Sequence, residues 1–317
     1  QQIVPLVDLI ITHGGNNTVC EVFPAGKPMI VLPLNGDQYN NAQRVDELGF
    51  GVRLDAYKCT SGQLLAAIDR LLNDKQLYKR LDIIADRIKR DNSISNQTLA
   101  TSAKPWEPEG KMYDLLWALR HHYLAYHTAV HKADERIVFV GDSITLGWEL
   151  LGANVWSKYY GAGRHAYNYG ISGDTTSNLI FRIRSNEFDG LEPNVTVLMI
   201  GTNNVWHNND TAEDVKHGID AIMKELLTKM PTTKILLLGN LPAPWPDQCK
   251  QLNALLEKLA NNKSVFFLDM WSAFVDKTGR QNADLFVSDG IHPNESGYEV
   301  WHKTMDPLLR KLYQLLL

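Results

Sequence analysis

Short apolar runs alternate with helical patterns throughout residues 136–317, and this alternation constrains the fold more than any other feature of the chain. Apolar runs near 136–141, 195–200, 234–238 and 265–268, together with the segment 165–170, predict five strands, and segments of helical character lie between them. Such alternation predicts a parallel sheet with right-handed crossovers. We therefore expect an α/β fold, a three-layer α/β/α sandwich with a flavodoxin-like parallel five-stranded sheet.

The strand near 137–140 stops abruptly at Gly141-Asp142-Ser143, and a helix can begin immediately afterwards. A serine hydroxyl is therefore expected at the carboxyl end of a strand and beside a helix N-terminus, where open α/β sheets carry their chemistry. A purely structural interpretation also stands, because serine and aspartate commonly cap helices. The tripeptide alone leaves both interpretations open.

Two further predicted strands lead to glycine and polar residues at the same sheet edge, where Gly173 and Asn203 stand. Asp289 and His292 lie three residues apart in a loop before the last helix. The pattern predicts Ser143 as a nucleophile, His292 as its general base and Asp289 as the group that orients the imidazole. The Ser143 and Gly173 N–H groups and the Asn203 amide are the predicted oxyanion donors. Taken singly, each could be a turn, cap or loop residue.

Four ordered blocks, Gly141-Asp142-Ser143, Gly173-Asp174, Gly201-x-Asn203 and Asp289-x-x-His292, resemble those of SGNH (GDSL-type) hydrolases. Within that family, residues 168–176 and the Gly-Thr-Asn-Asn run are similar to the catalytic α subunits of intracellular platelet-activating-factor acetylhydrolase. The resemblance covers about 105–317. It implies a serine esterase that cleaves short acyl (acetyl) esters through an acyl-enzyme, without a cofactor or metal.

The substrate and assembly stay open at this point. A phospholipid-type acetyl ester follows from the subfamily resemblance, and a carbohydrate O-acetyl ester is the alternative. A non-catalytic assembly subunit on the same scaffold is a third interpretation. The resemblance also implies a homodimer or heterodimer. Trp148, Trp206 and His207 follow sheet-edge motifs and are expected either to line the pocket or to pack in the interior.

The first third of the chain has its own α/β pattern. Strands are predicted at 9–12, 29–32 and 51–54, and helices follow, one of them with Ser61 as its N-cap. The pattern predicts a piece of a parallel sheet. Its first strand leads through Gly14-Gly15 into a helix, which is a generic cradle for an anion.

The motif His-Gly-Gly-x-Asn-Thr-x-x-Glu, with a later Asp-Gln-x-x-Asn-Ala, resembles the UDP-sugar motif of UDP-glycosyltransferases over about 7–92. The resemblance implies a partial Rossmann-like segment from the C-terminal domain of a GT-B enzyme. It assigns the diphosphate to His13, Asn17 and Thr18, the ribose to Glu21, and the sugar to Asp37 and Gln38. By this resemblance we expect the family's N-terminal domain, with its catalytic base, to be missing. We expect a UDP-sugar-dependent glycosyltransferase or a module that binds UDP-sugar weakly, or else a relic or fusion without function.

A polar segment at 94–104 is predicted to link the two parts, a nucleotide-sugar segment at 1–93 and a hydrolase domain at 105–317. A helix predicted at 112–130 and the residue after it carry His121, His122, His127 and His131, which we expect to be solvated rather than metal ligands.

Composition excludes several classes of protein. A net charge of −4 argues against nucleic-acid binding as the function, and no apolar run reaches transmembrane length. Three separated cysteines form no metal or disulfide pattern and favour a reducing compartment. We therefore expect a cytoplasmic protein with a small-molecule ester substrate.

Overall fold

The computed structural model describes residues 3–34, 37–90, 103–112, 114–161, 164–208 and 210–314. The chain divides into two compact units, one formed by Gln1–Thr98 with Met112–Leu116 and the other by Leu99–Lys111 with Trp117–Leu317. The linker predicted at 94–104 lies mostly outside the described residues. The boundaries 1–93 and 105–317 therefore stay a prediction.

The N-terminal unit is a small parallel α/β segment. Its elements are β1 (Ile10–Thr12), α1 (Asn16–Val22), β2 (Met29–Val31), α2 (Asp37–Glu47), β3 (Gly51–Arg53), α3 (Ser61–Asn73) and α4 (Lys75–Arg90). The strands pair in the order β1-β2-β3, all parallel, so the predicted sheet segment is confirmed.

The predicted cap of α3 is wrong by one residue. Thr60, and not Ser61, is the N-cap, because its hydroxyl accepts a hydrogen bond from the Gln63 N–H. The Gln63 side chain accepts one from the Thr60 N–H in return, which completes a capping box.

The larger unit contains the five-stranded sheet and its helices. Its elements are α5 (Leu115–His131), β4 (Ile137–Gly141), α6 (Ser143–Leu146), α7 (Ala153–Tyr159), β5 (Ala166–Gly170), α8 (Thr176–Arg184), β6 (Val195–Met199), α9 (Ala212–Lys229), β7 (Lys234–Leu238), α10 (Pro246–Leu256), β8 (Val265–Leu268) and α11 (Glu295–Gln314). Helix α5 begins within the smaller unit and continues into this one.

The sheet is parallel throughout, in the order β5-β4-β6-β7-β8, which confirms the expected α/β architecture. The chain leaves β4 to one side for β5 and then crosses to the other side for β6. A flavodoxin-like order of this kind opens a crevice beyond the carboxyl ends of the strands where the direction reverses. Strands β4 and β6 are fully buried, which fits their predominantly apolar sequences.

Helix α5 corrects the expectation of solvated histidines for His121 and His127, whereas His131 is exposed, as expected. His121 is buried, and its Nδ1 lies 2.6 Å from Glu187 Oε2. His127 is half-buried, with Nδ1 at 3.1 Å from Glu135 Oε1. Each of these two imidazoles has a carboxylate partner from outside the helix. The contact with that partner offsets the free-energy cost of burying a polar ring.

Trp148 is a core residue and not a surface one. It is fully buried among Phe139, Tyr298 and Trp301, so of its two expected roles it takes packing. Among the described helices, none is both long enough and apolar enough to cross a bilayer.

Candidate active site

Ser143 occupies the step between β4 and α6. Asp142 is the N-cap of α6, and its Oδ1 accepts a hydrogen bond from the Ile144 N–H at 2.9 Å. A side chain at Gly141 would collide with the Met199 main-chain oxygen and the Thr145 hydroxyl, so the strand must end in glycine. The cap interpretation therefore holds for Asp142, and it leaves the next residue, Ser143, as the first residue of the helix.

The structure brings three of the predicted residues together at this step. The Ser143 Oγ lies 2.8 Å from His292 Nε2, and His292 Nδ1 lies 2.7 Å from Asp289 Oδ2. A carboxylate that holds one imidazole nitrogen leaves the other nitrogen as an acceptor. The arrangement can therefore remove a proton from the serine hydroxyl and later return it.

The loop before α11 orients Asp289 by its own main chain. Asp289 Oδ1 accepts hydrogen bonds from the N–H groups of Ile291 at 2.7 Å and His292 at 2.9 Å. Partial burial acts to raise the Asp289 pKa, but these hydrogen bonds and the His292 side chain outweigh it and lower the pKa. Asp289 is therefore held in its ionised form beside the imidazole.

Asn203 connects the remaining strand ends. Its Nδ2 donates a hydrogen bond to the Asp174 main-chain oxygen at 2.9 Å and lies 3.5 Å from Asp142 Oδ2. Since Asp174 and Asp142 are the chain neighbours of Gly173 and Ser143, the three predicted oxyanion donors converge on one region. Gly173 has a φ of +74°, a left-handed conformation that glycine adopts without strain.

Asp142 has an unusual environment for a helix cap. It is fully buried, and burial raises its pKa from the ordinary 3.8 to about 7, although the hydrogen bond from the Ile144 N–H acts in the opposite direction. The charge of nearby Asp174 raises it further. A carboxyl group next to Ser143 thus changes its charge near neutral pH.

Trp206 is the remaining predicted lining residue with a described side chain, since the His207 side chain lies outside the described part. Trp206 follows Asn203 in a π-helical turn over Asn204–Asn208 and is 47% exposed. Its ring stacks on Trp245, with centroids 5.5 Å apart. Trp245 was not singled out from the sequence, because a tryptophan in a proline-rich loop shows no periodic pattern.

The predicted UDP-sugar residues lie in the N-terminal unit, around the β1–α1 turn and the start of α2. Gly14 has a φ of +84°, and its oxygen accepts a hydrogen bond from Asn41 Nδ2 at 2.7 Å. The Gln38 side chain accepts a hydrogen bond from the Leu34 N–H at 2.9 Å. The residues whose side chains are described are His13, Thr18, Glu21 and Gln38, whereas the side chains of Asn17 and Asp37 lie outside the described part.

The part of the chain that the structure describes holds no group of three or more His, Cys, Asp or Glu residues arranged to bind a metal ion.

Comparison with known proteins identifies the family of the chain. The sequence model of the GDSL-like lipase/acylhydrolase family matches residues 139–300. The platelet-activating factor acetylhydrolase IB subunit alpha2 of Rattus norvegicus is 34% identical over 225 residues, which span 68% of this chain and 91% of that protein. The alpha1 subunit of Homo sapiens is 30% identical and covers 68% of this chain and 89% of its own length.

Fold and sequence together thus define an ester hydrolase with a parallel α/β/α sheet. The chain belongs to the GDSL-like lipase/acylhydrolase family. A solved structure from Streptococcus pneumonia, described as a platelet activating factor, shares the fold with a TM-score of 0.54 at 20% identity, over 62% of this chain and 96% of that one. Residues 4–101 match the UDP-glucoronosyl and UDP-glucosyl transferase family.

Proposed function

We propose that the chain is a serine esterase in which Ser143 attacks short acyl esters, acetyl esters above all, and forms an acyl-enzyme. The observation that carries the proposal is the run of two short contacts, Ser143 Oγ to His292 Nε2 at 2.8 Å and His292 Nδ1 to Asp289 Oδ2 at 2.7 Å.

In the first half of the reaction, His292 takes the Ser143 proton as Oγ bonds to the ester carbonyl carbon. The carbonyl oxygen becomes an oxyanion that accepts hydrogen bonds from the N–H groups of Ser143 and Gly173 and from Asn203 Nδ2. When the carbon–alkoxy bond breaks, His292 gives its proton to the leaving alcohol. The acyl group stays on Ser143.

The second half repeats these steps with water. His292 removes a proton from the water as its oxygen bonds to the acyl carbon. The oxyanion then collapses, the bond to Ser143 breaks, and the serine oxygen regains a proton from His292. Asp289 stabilises the imidazolium in both halves without taking the proton.

The acetyl preference is supported by the relatives, which are named as acetylhydrolases of platelet-activating factor. A phospholipid-type acetyl ester is therefore the first candidate substrate, and a carbohydrate O-acetyl ester is the second. Cytoplasmic location and pairing into a homodimer or heterodimer stay predictions, and cell fractionation and sedimentation analysis test them.

The test measures hydrolysis of p-nitrophenyl acetate and of longer p-nitrophenyl acyl esters, with Ser143→Ala as the key variant. We expect activity with acetate that falls as the acyl chain lengthens, and no serine-dependent turnover in Ser143→Ala. The matched control is Ser157→Ala, an exposed helical serine that should leave turnover unchanged. A fluorophosphonate should label Ser143 in the wild type, and failure to label it would favour a non-catalytic subunit.

A second candidate function, weak UDP-sugar binding, is favoured by the family match over residues 4–101. Calorimetry with UDP, and with ADP as control, tests this function. Heat with UDP that is lost in His13→Ala supports it, and no heat at millimolar UDP removes it.

A further inference from the structure

Asp174 is a fully buried carboxylate directly after Gly173, and the reaction proposed above does not use it. Its Oδ1 accepts a hydrogen bond from the Trp117 indole N–H at 2.5 Å, and its Oδ2 accepts one from Arg182 Nη1 at 2.6 Å. A buried carboxylate needs such partners. They fix the main chain after Gly173 to α5, which carries Trp117, and to α8, which carries Arg182.

Arg182 holds the turn that contains Gly173 from both sides. It is fully buried in α8, and its Nη2 donates a hydrogen bond to the Tyr169 main-chain oxygen at 2.5 Å. Tyr169 precedes the turn and Asp174 follows it. One guanidinium can serve both ends because its five N–H donors lie in a fixed plane.

Glu187 occupies the remaining side of the guanidinium. Arg182 Nε donates to Glu187 Oε1 at 3.0 Å, and Arg182 Nη2 also contacts that oxygen. The other Glu187 oxygen lies 2.6 Å from His121 Nδ1. Buried ion pairs of this kind contribute little net stability compared with well-packed apolar side chains. The network is therefore expected to act through the geometry that it imposes on the main chain around Gly173.

The main chain held by this network carries one proposed oxyanion donor, the Gly173 N–H, and contacts a second, the Asn203 amide. The Asp174 oxygen accepts a hydrogen bond from Asn203 Nδ2 at 2.9 Å, which sets the plane of that amide. The Gly173 oxygen accepts one from Lys111 Nζ at 2.5 Å. A shift of Asp174 would therefore move both the Gly173 peptide and the Asn203 amide.

We propose that Arg182 is a positioning residue for the oxyanion site, and that it acts through Asp174 on the Gly173 N–H and the Asn203 amide. The inference rests on the proposed function, because it concerns the site that receives the oxyanion. The network does not touch the substrate. Its role is to keep the donors at the position where negative charge develops.

The test uses the full chain with Arg182→Lys, which keeps the charge but cannot reach all three acceptors. Oxyanion donors act mainly in the transition state, so kcat should fall by about 10²-fold while KM stays near the wild-type value. The affinity for an aryl trifluoromethyl ketone, whose serine adduct carries an oxyanion, should fall in parallel with kcat.

Two further variants keep the test decisive. Trp117→Phe removes one hydrogen bond to Asp174 and keeps an aromatic ring, so a smaller fall in kcat with a matching loss of ketone affinity is expected. Thr196→Val is the control, because Thr196 lies near the start of strand β6, at the opposite end from the site, and the substitution removes its buried hydrogen bond to Thr233. It should leave kcat and ketone affinity unchanged. Urea unfolding reports the stability of each variant.

The outcomes separate the two proposals. Unchanged ketone affinity in a folded Arg182→Lys enzyme overturns the positioning role, as does a fall no larger than that of Thr196→Val. If Arg182→Lys does not fold, Trp117→Phe decides by the same criterion. A wild type without esterase activity, or an active Ser143→Ala, overturns the proposed function itself.

Discussion

The Tyr298 hydroxyl donates a 2.7 Å hydrogen bond to the main-chain oxygen of Ile144, the residue after Ser143. Tyr298 lies in the C-terminal helix α11 and is fully buried. Burial, together with the charges of Asp142 and Asp289, raises its pKa, so the hydroxyl keeps its proton and remains a donor. The last helix of the chain therefore holds the turn that presents the proposed nucleophile.

Tyr298→Phe removes this bond and leaves the Ile144 oxygen without its partner in a buried place. We expect the free energy of unfolding to fall by about 1–3 kcal/mol. Urea unfolding measures the change. Tyr126→Phe is the control, since Tyr126 is 69% exposed and its variant should have wild-type stability. Equal stability of the two variants would contradict the role given to Tyr298.

Asp289→Asn keeps the size of the side chain but removes the charge that holds His292. We expect kcat to fall by about 10²–10⁴-fold, the range that general acid–base catalysis contributes. Steady-state kinetics with p-nitrophenyl acetate measures it. Asp284→Asn changes an exposed carboxylate in the same segment and should be neutral. A fully active Asp289→Asn enzyme would remove Asp289 from the proposed triad.

Asp142→Asn tests the raised pKa of the buried helix cap. With a pKa of about 7 in the folded protein and an ordinary value of 3.8, the folded state binds this proton more tightly. The carboxyl group therefore favours folding at acidic pH, and this contribution is lost as the pH rises from about 4 to about 7. The asparagine amide can keep the cap, so its variant should lack this dependence.

The measurement for Asp142 is the free energy of unfolding at pH 5 and pH 8. The wild type, compared with Asp142→Asn, should lose stability between these two values. Asp247→Asn, an exposed carboxylate, serves as the control and should follow the wild type. Parallel pH profiles for wild type and Asp142→Asn would show that the carboxyl group titrates normally.

Trp206→Ala tests whether the exposed tryptophan contacts the alcohol part of the ester. Loss of an aromatic partner is worth about 0.5–1.5 kcal/mol, so KM should rise by about 2–13-fold for acetyl esters of large alcohols. Ethyl acetate, with a small alcohol, should be hardly affected. Trp206→Phe should retain most of the wild-type KM. An unchanged KM for every ester would show that Trp206 does not contact the alcohol and instead packs on Trp245.

Much of the fold could be predicted because the central strands β4 and β6 are buried on both faces. An uninterrupted apolar run such as that of β4 has few alternatives, and the bounds predicted for β7 and β8 match the structure. The four ordered motifs also indicated which strand ends meet, since parallel strands share one carboxyl edge. The catalytic roles of Ser143, Asp289 and His292 stay predictions.

The buried charge network could not be predicted in this way. Trp117 and Asp174 are 57 residues apart, and His121 and Glu187 are 66 apart. A charged residue in an amphipathic helix is expected at the surface unless a partner from another element is known. The sequence gives one local indication of the network, since Glu187 follows its ion-pair partner Arg182 by five residues. The sequence alone does not show that both are fully buried.

The Asp289 carboxylate accepts hydrogen bonds from two main-chain N–H groups of its own loop, and it contacts the imidazole of His292 in the same loop. Asp289 and His292 thus form one short module whose internal geometry depends on four consecutive residues. Insertions in other loops can move this module toward or away from Ser143, but they do not change the distance between its two side chains. A single deletion within 289–292, in contrast, would disrupt the contact between the two side chains. Changes in the length of the loops around the module should therefore be tolerated, whereas insertions or deletions within the module should not.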